Sequence, residues 1–145
     1  MERLRRYSDI LLRYRRKGDF PFDFEEEGDL GILDFSADHL YQLLRMTLLA
    51  KTTTPIQVGE LNIQDYRIVH LSHSKNQEMR FLHERYIEYC PGLRKYSGDE
   101  FHQVWKELLS TYERGKFASG YWDTAINAID HVDLKAYLSE RYLES

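Results

Sequence analysis

Residues 37–51, Ala-Asp-His-Leu-Tyr-Gln-Leu-Leu-Arg-Met-Thr-Leu-Leu-Ala-Lys, constrain the fold more than any other stretch. Leu40, Leu43, Leu44, Met46, Leu48 and Leu49 recur at helical spacing and cover most of a helix's circumference. A helix apolar nearly all round must be enclosed by other elements. The segment is therefore predicted as the central buried helix, capped by Ser36 and ended by Thr52-Thr53-Thr54-Pro55.

Other helical stripes supply its neighbours. Over residues 2–17, Leu4, Tyr7, Leu11 and Tyr14 line one face, Ile10 widens it and Gly18 is a natural stop. Ser74 to Gln77 and Ser97 to Glu100 have the capping-box spacing. The first precedes Met79, Leu82, Tyr86 and Tyr89, ended by Pro91-Gly92; the second precedes Phe101, Val104, Leu108 and Tyr112, ended by Gly115. A last helical pair is expected near 121–129 and 133–143. Phe20, Phe22 and Phe24 alternate at period two, which suggests a short extended segment. Residues 55–73 admit a hairpin turning at Gly59 followed by a strand, or a short helix from Asn62; the helix is preferred because its neighbours are helical. The expected fold is a single mainly α domain over 1–145, of five to six helices. Residues 20–35 and 55–73 are the places for an extended segment or hairpin.

Charge is distributed unevenly. Residues 2–17 carry Arg3, Arg5, Arg6, Arg13, Arg15, Arg16 and Lys17 against Glu2 and Asp9, a net of +5. Residues 18–44 hold no cation and eight acids: Asp19, Asp23, Glu25, Glu26, Glu27, Asp29, Asp34 and Asp38. The whole chain of 145 residues is at −4, so the remainder is nearly balanced. Either the cationic helix pairs with its own acidic tract, or one of the two faces a partner.

Several function classes lose ground early. One cysteine, Cys90, excludes an internal disulfide framework and a Cys-based zinc site, and its place at the end of an apolar stripe predicts a buried structural thiol. The N-terminus keeps its charges and has no apolar core, unlike a secretory signal. No apolar run approaches the ~18 residues of a membrane span. A cytoplasmic protein without membrane contact is expected.

Catalytic signatures are missing as well. There is no Gly-x-Ser-x-Gly, no Gly-rich phosphate loop and no Cys-His pairing with a positioned acid. His70, His73 and His83 with Glu78 and Glu84 lack the His-Glu-x-x-His spacing of a helical zinc site. Glu25-Glu26-Glu27, between Phe24 and Gly28, have the composition of a solvated loop, whereas a catalytic acid needs burial or a close like charge to raise its pKa. No enzyme, cofactor or metal is expected. Arg67 followed by His73 resembles the Arg-to-His spacing of the HEPN-type ribonucleases, small helical domains that dimerise to build their site. That resemblance implies an RNA-cleaving pair. It departs from the family at Ile68, where a polar residue is usual, and Ser72 and Ser74 interrupt the run.

The expectation ranked first is a small acidic protein-binding module. Phe22, Asp23, Phe24, Glu25, Glu26, Glu27 and Asp29 are its candidate surface, with Phe22 or Phe24 as apolar anchor. Carboxylate surfaces steer and orient basic partners such as nuclease toxins. By profile the chain therefore fits a bacterial immunity or antitoxin-type inhibitor, an association of size and charge with no motif behind it. The HEPN-like ribonuclease ranks second. A nucleic-acid-binding regulator using the basic N-terminal helix ranks third.

Overall fold

The computed structural model describes residues 2–24, 31–36 and 38–143. Helix α1 (Glu2–Arg16) buries Leu4 and Leu11, with Tyr7, Ile10 and Tyr14 packed beside them. Gly18, at φ 70°, closes the helix: its N–H donates to the Arg15 carbonyl and that of Asp19 to the Tyr14 carbonyl. This paired pattern is the Schellman motif, which favours a glycine at that position.

Helix α2 (Asp38–Thr53) is the centre of the core, with Leu40, Leu43, Leu44 and Leu48 at or below 1% exposure. It is not enclosed all round, because Met46 and Leu49 are exposed. Ser36, expected as its cap, is the last residue of a 3-10 helix (Ile32–Ser36), and residue 37 lies outside the described residues. Cys90 is fully buried, as its apolar setting predicts, with Sγ 3.6 Å from the Ser36 hydroxyl.

The chain then turns to β structure. Strands β1 (Ile56–Val58) and β2 (Leu61–Ile63) form an antiparallel hairpin. Strand β3 (Ile68–Ser72) instead pairs in parallel with β4 (Phe117–Tyr121), Ile68 opposite Phe117 and Ser72 opposite Tyr121. Between them lie α3 (Gln77–Arg80), α4 (Glu84–Tyr89), a 3-10 helix (Pro91–Tyr96), α5 (Phe101–Leu108) and α6 (Thr111–Arg114). After β4 come α7 (Trp122–Asn127) and α8 (Val132–Tyr142).

The mainly α expectation is thereby corrected. The structure is 59% helical and 15% strand, with two small sheets, and its helices are more numerous and shorter than expected. The preferred helix over 55–73 is replaced by the hairpin and β3. The parallel partner of β3 comes from beyond α6, so no local pattern announces it. The helix expected from Ser74 is split because Phe81 bridges to Glu100, while Leu82 donates to the Asp99 carbonyl and accepts from Gly98. Its cap is Asn76, whose side chain accepts from the Met79 N–H. Likewise α5 stops at Leu108 because Phe22 bridges to Leu109 and the Ser110 N–H donates to the Pro21 carbonyl. Ser110 then caps α6 by accepting from the Glu113 N–H.

Candidate protein-binding surface

The cationic helix and the acidic tract meet at Gly18, and the described residues show where Asp19 and Asp34 go. Asp19 does not turn back to α1. Its carboxylate accepts from the Lys51 ammonium of α2 at 2.8 Å. Lys51 also donates to Glu113 at 2.8 Å, and the Tyr66 hydroxyl donates to the other oxygen of that carboxylate at 2.5 Å. Burial works to lower the Lys51 pKa, but its hydrogen bonds to Asp19 and Glu113 outweigh burial and hold it above the usual lysine value. Burial and the bond to Glu113 raise the Tyr66 phenol well above its ordinary range. Asp34 is buried and accepts from the backbone N–H groups of Gly31 and Gly92.

On α1, Arg15 stacks its guanidinium 3.9 Å from the Phe20 ring centroid. Arg13 donates to the Asp9 carbonyl. Among the described residues Arg5, Arg6, Arg13, Arg16 and Lys17 make no ion pair. Of the described acids of the tract, Asp19 is thus bound by α2 and Asp34 by backbone amides, while Arg5, Arg6, Arg13, Arg16 and Lys17 are exposed.

The anchor residues need correction. Phe22 is 4% exposed, its ring 5.2 Å from that of Phe35 and 5.7 Å from that of Trp105. A ring held there is a core side chain and does not reach a partner. Phe24 is half-buried against Phe22 and Phe35. Asp23 is exposed, and its backbone N–H donates to the Leu108 carbonyl. Glu25, Glu26, Glu27 and Asp29 lie outside the described residues.

Arg67 and His73 flank β3 rather than sharing a helix face. Six steps along an extended chain separate them by about 20 Å. The His73 ring packs edge-on against Trp122, and its Nδ1 accepts from the Lys75 N–H. The arrangement leaves the ribonuclease resemblance without its helical setting.

Of the histidines, the sequence pattern missed the pair that matters structurally. His70 Nδ1 and His102 Nε2 are 2.7 Å apart. His70 points inward from β3 between Ile68 and Ser72, and His102 faces the same space from α5. Burial, followed by the neighbouring His70, pushes His102 down to about 4. Burial and then His39 lower His70. Period two in β3 and the apolar stripe of α5 are the signals that place both imidazoles inside, but only the tertiary structure joins them. Among the described residues no three His, Cys, Asp or Glu side chains converge in a way that could hold a metal.

A half-open cavity of ≈ 250 Å³ lies between α1, the Phe20–Phe24 stretch and the 3-10 helix at Ile32. Leu11, Phe20, Phe24 and Phe35 line it, with Ser8 and Arg15 contributing polar groups. Among the described residues no acid–base pair lines it. Among the described residues no helix is long and apolar enough to cross a membrane. No family model matches the chain, and no match is found among curated proteins or solved structures.

Proposed function

We propose that this chain is a non-catalytic protein-binding module that engages a basic protein partner. Its acidic surface begins at Asp23 and Phe24 and takes in Glu25, Glu26, Glu27 and Asp29. The role that best fits such a surface is inhibition of a basic partner by direct binding, as an immunity or antitoxin-type protein does to a nuclease toxin. One observation supports the reading: Asp19 pairs with Lys51 of α2 and Asp34 with backbone amides, so neither of these two acids of the tract is spent on α1.

The experiment is a pull-down from the native host with the purified chain, followed by stopped-flow mixing with the captured basic protein at rising salt. Association should be fast at low salt and slow as ionic strength passes ~0.15 M, where the Debye length is about 8 Å. Replacing Glu25, Glu26 and Glu27 by Gln should slow it further. Association kinetics indifferent to that change would end the reading.

The open cationic face of α1 supports a second reading, contact with nucleic acid. It is the weaker one, because Tyr7 packs against Tyr41 and the Tyr14 hydroxyl meets the Thr52 hydroxyl, so neither ring is offered to bases. Fluorescence anisotropy with labelled RNA and DNA separates the two.

A further inference from the structure

Of the residues of strands β3 and β4, only Ile68, Ser72 and Phe117 are buried, and Val69 and Leu71 face solvent. Few apolar side chains therefore hold this sheet on the core. The buried Ser72 hydroxyl has no hydrogen-bond partner among the described residues. An unsatisfied buried group favours any state in which water reaches it. What else ties the sheet down is His70 of β3 against His102 of α5, with ring nitrogens 2.7 Å apart and ring centroids 4.9 Å apart. Such a contact holds one proton between two nitrogens: one ring donates and the other accepts. A second proton removes the acceptor and sets two cations against each other.

We propose that the His70–His102 contact is an acid-released latch, which lets the β3–β4 sheet come away from α5 on acidification while the core around α2 stays folded. The groups facing the pair do little to offset a second proton. His39 of α2 packs edge-on against the Phe101 ring, as His70 does, and Lys106 of α5 adds positive charge. Glu100 favours charge on His102, but its carboxylate already accepts from the Tyr121 hydroxyl of β4 at 2.7 Å. The other rings beside His102, those of Phe117 and Tyr121, carry no charge to neutralise it. Burial already holds both imidazoles below their ordinary range. A two-stranded sheet is marginal without a layer beneath it, so lifting from α5 also breaks its strand hydrogen bonds. The centre of the core, at Leu40, Leu43, Leu44 and Leu48 of α2, contains no such contact.

Amide hydrogen exchange of the full chain at about pH 7 and about pH 5, corrected for the intrinsic rate, tests it. The β3 and β4 amides should be less protected than those of α2 at both pH values. Their protection should fall by about tenfold or more between the two, as for a proton taken up on opening. His70→Gln and His102→Gln, which keep a hydrogen-bonding side chain without the charge, should each flatten that fall. Sheet and α2 amides that exchange together through one global opening would overturn the inference. So would sheet protection that does not fall, or a fall undiminished in both variants. Should neither variant fold, imidazole titration of the native chain by NMR decides. His70 and His102 should take up protons over the pH range in which the sheet amides lose protection, and protonation of both with the sheet unchanged would overturn it.

Discussion

The Lys51 ammonium lies 2.8 Å from the Glu113 carboxylate, with the two side chains only 6% and 2% exposed. Asp19 and Tyr66 complete their hydrogen bonding, so the group ties the end of α1, the last turn of α2, α6 and the approach to β3. Removing Glu113 leaves the buried Lys51 with only the half-exposed Asp19 and takes the acceptor from the Tyr66 hydroxyl. Glu113→Ala should therefore cost about 3–5 kcal/mol. Urea unfolding measures it, and a cost below about 1 kcal/mol would mean that water compensates Lys51.

Asp34 is counted among the acids of the tract but acts inside the fold. Its two oxygens satisfy the Gly31 and Gly92 N–H groups, joining the 3-10 helix after the tract to the one after α4. Asp34→Ala leaves both donors without their acceptor and should destabilise by about 2–4 kcal/mol, whereas Asp34→Asn retains one acceptor oxygen for one of the two N–H groups and should cost less. Equilibrium unfolding of the two variants gives the comparison.

Acidification should weaken the fold through His102. Its pKa is depressed in the folded chain to about 4, and an unfolded histidine titrates near 6.5. The folded state therefore resists a proton that the unfolded state accepts. Stability is fully present above about pH 6.5 and is lost as pH falls through that value towards about 4, by on the order of 2–3 kcal/mol. Glu100 opposes the shift and Lys106 adds to it. Unfolding followed between those pH values should show the slope in the native chain and a flatter one in His102→Gln.

Core and surface leucines should separate cleanly. Leu44 is fully buried and Leu12 is 43% exposed. Leu44→Ala should cost about 2–5 kcal/mol as a cavity-forming truncation, and Leu12→Ala less than about 1 kcal/mol. Thermal or urea unfolding reports both.

What the sequence made legible was its local physics. The α1 stripe and its Gly18 stop, the Leu40–Leu48 face of α2 and the closing helical pair all follow from 3.6-residue spacing. Met46 and Leu49 were misjudged because apolar character alone does not say whether a neighbour exists to cover a side. The hairpin signal was present in Gly59 and its flanking β-branched residues, yet helical neighbours outweighed it. The breaks at Phe81 and Leu109 come from backbone pairing with segments distant in sequence, which periodicity cannot show. The same holds for the surface. The charge reversal was plain, but the destinations of Asp19 and Asp34 depend on Lys51 and Gly92, and the burial of Phe22 depends on Phe35 and Trp105.

The central proposal is that Glu25, Glu26 and Glu27 serve a partner and do not hold the fold together. Calorimetric melting of the Glu25→Gln/Glu26→Gln/Glu27→Gln variant tests it most directly. Exposed carboxylates contribute ~0–1 kcal/mol each, and three adjacent ones repel one another, so losses and gains nearly cancel. The melting temperature should move by less than about 2 °C in either direction. A fall of more than about 5 °C, lessened when the native chain is compared at high salt, would mean that the three glutamates clamp the cationic helix, and would contradict the claim.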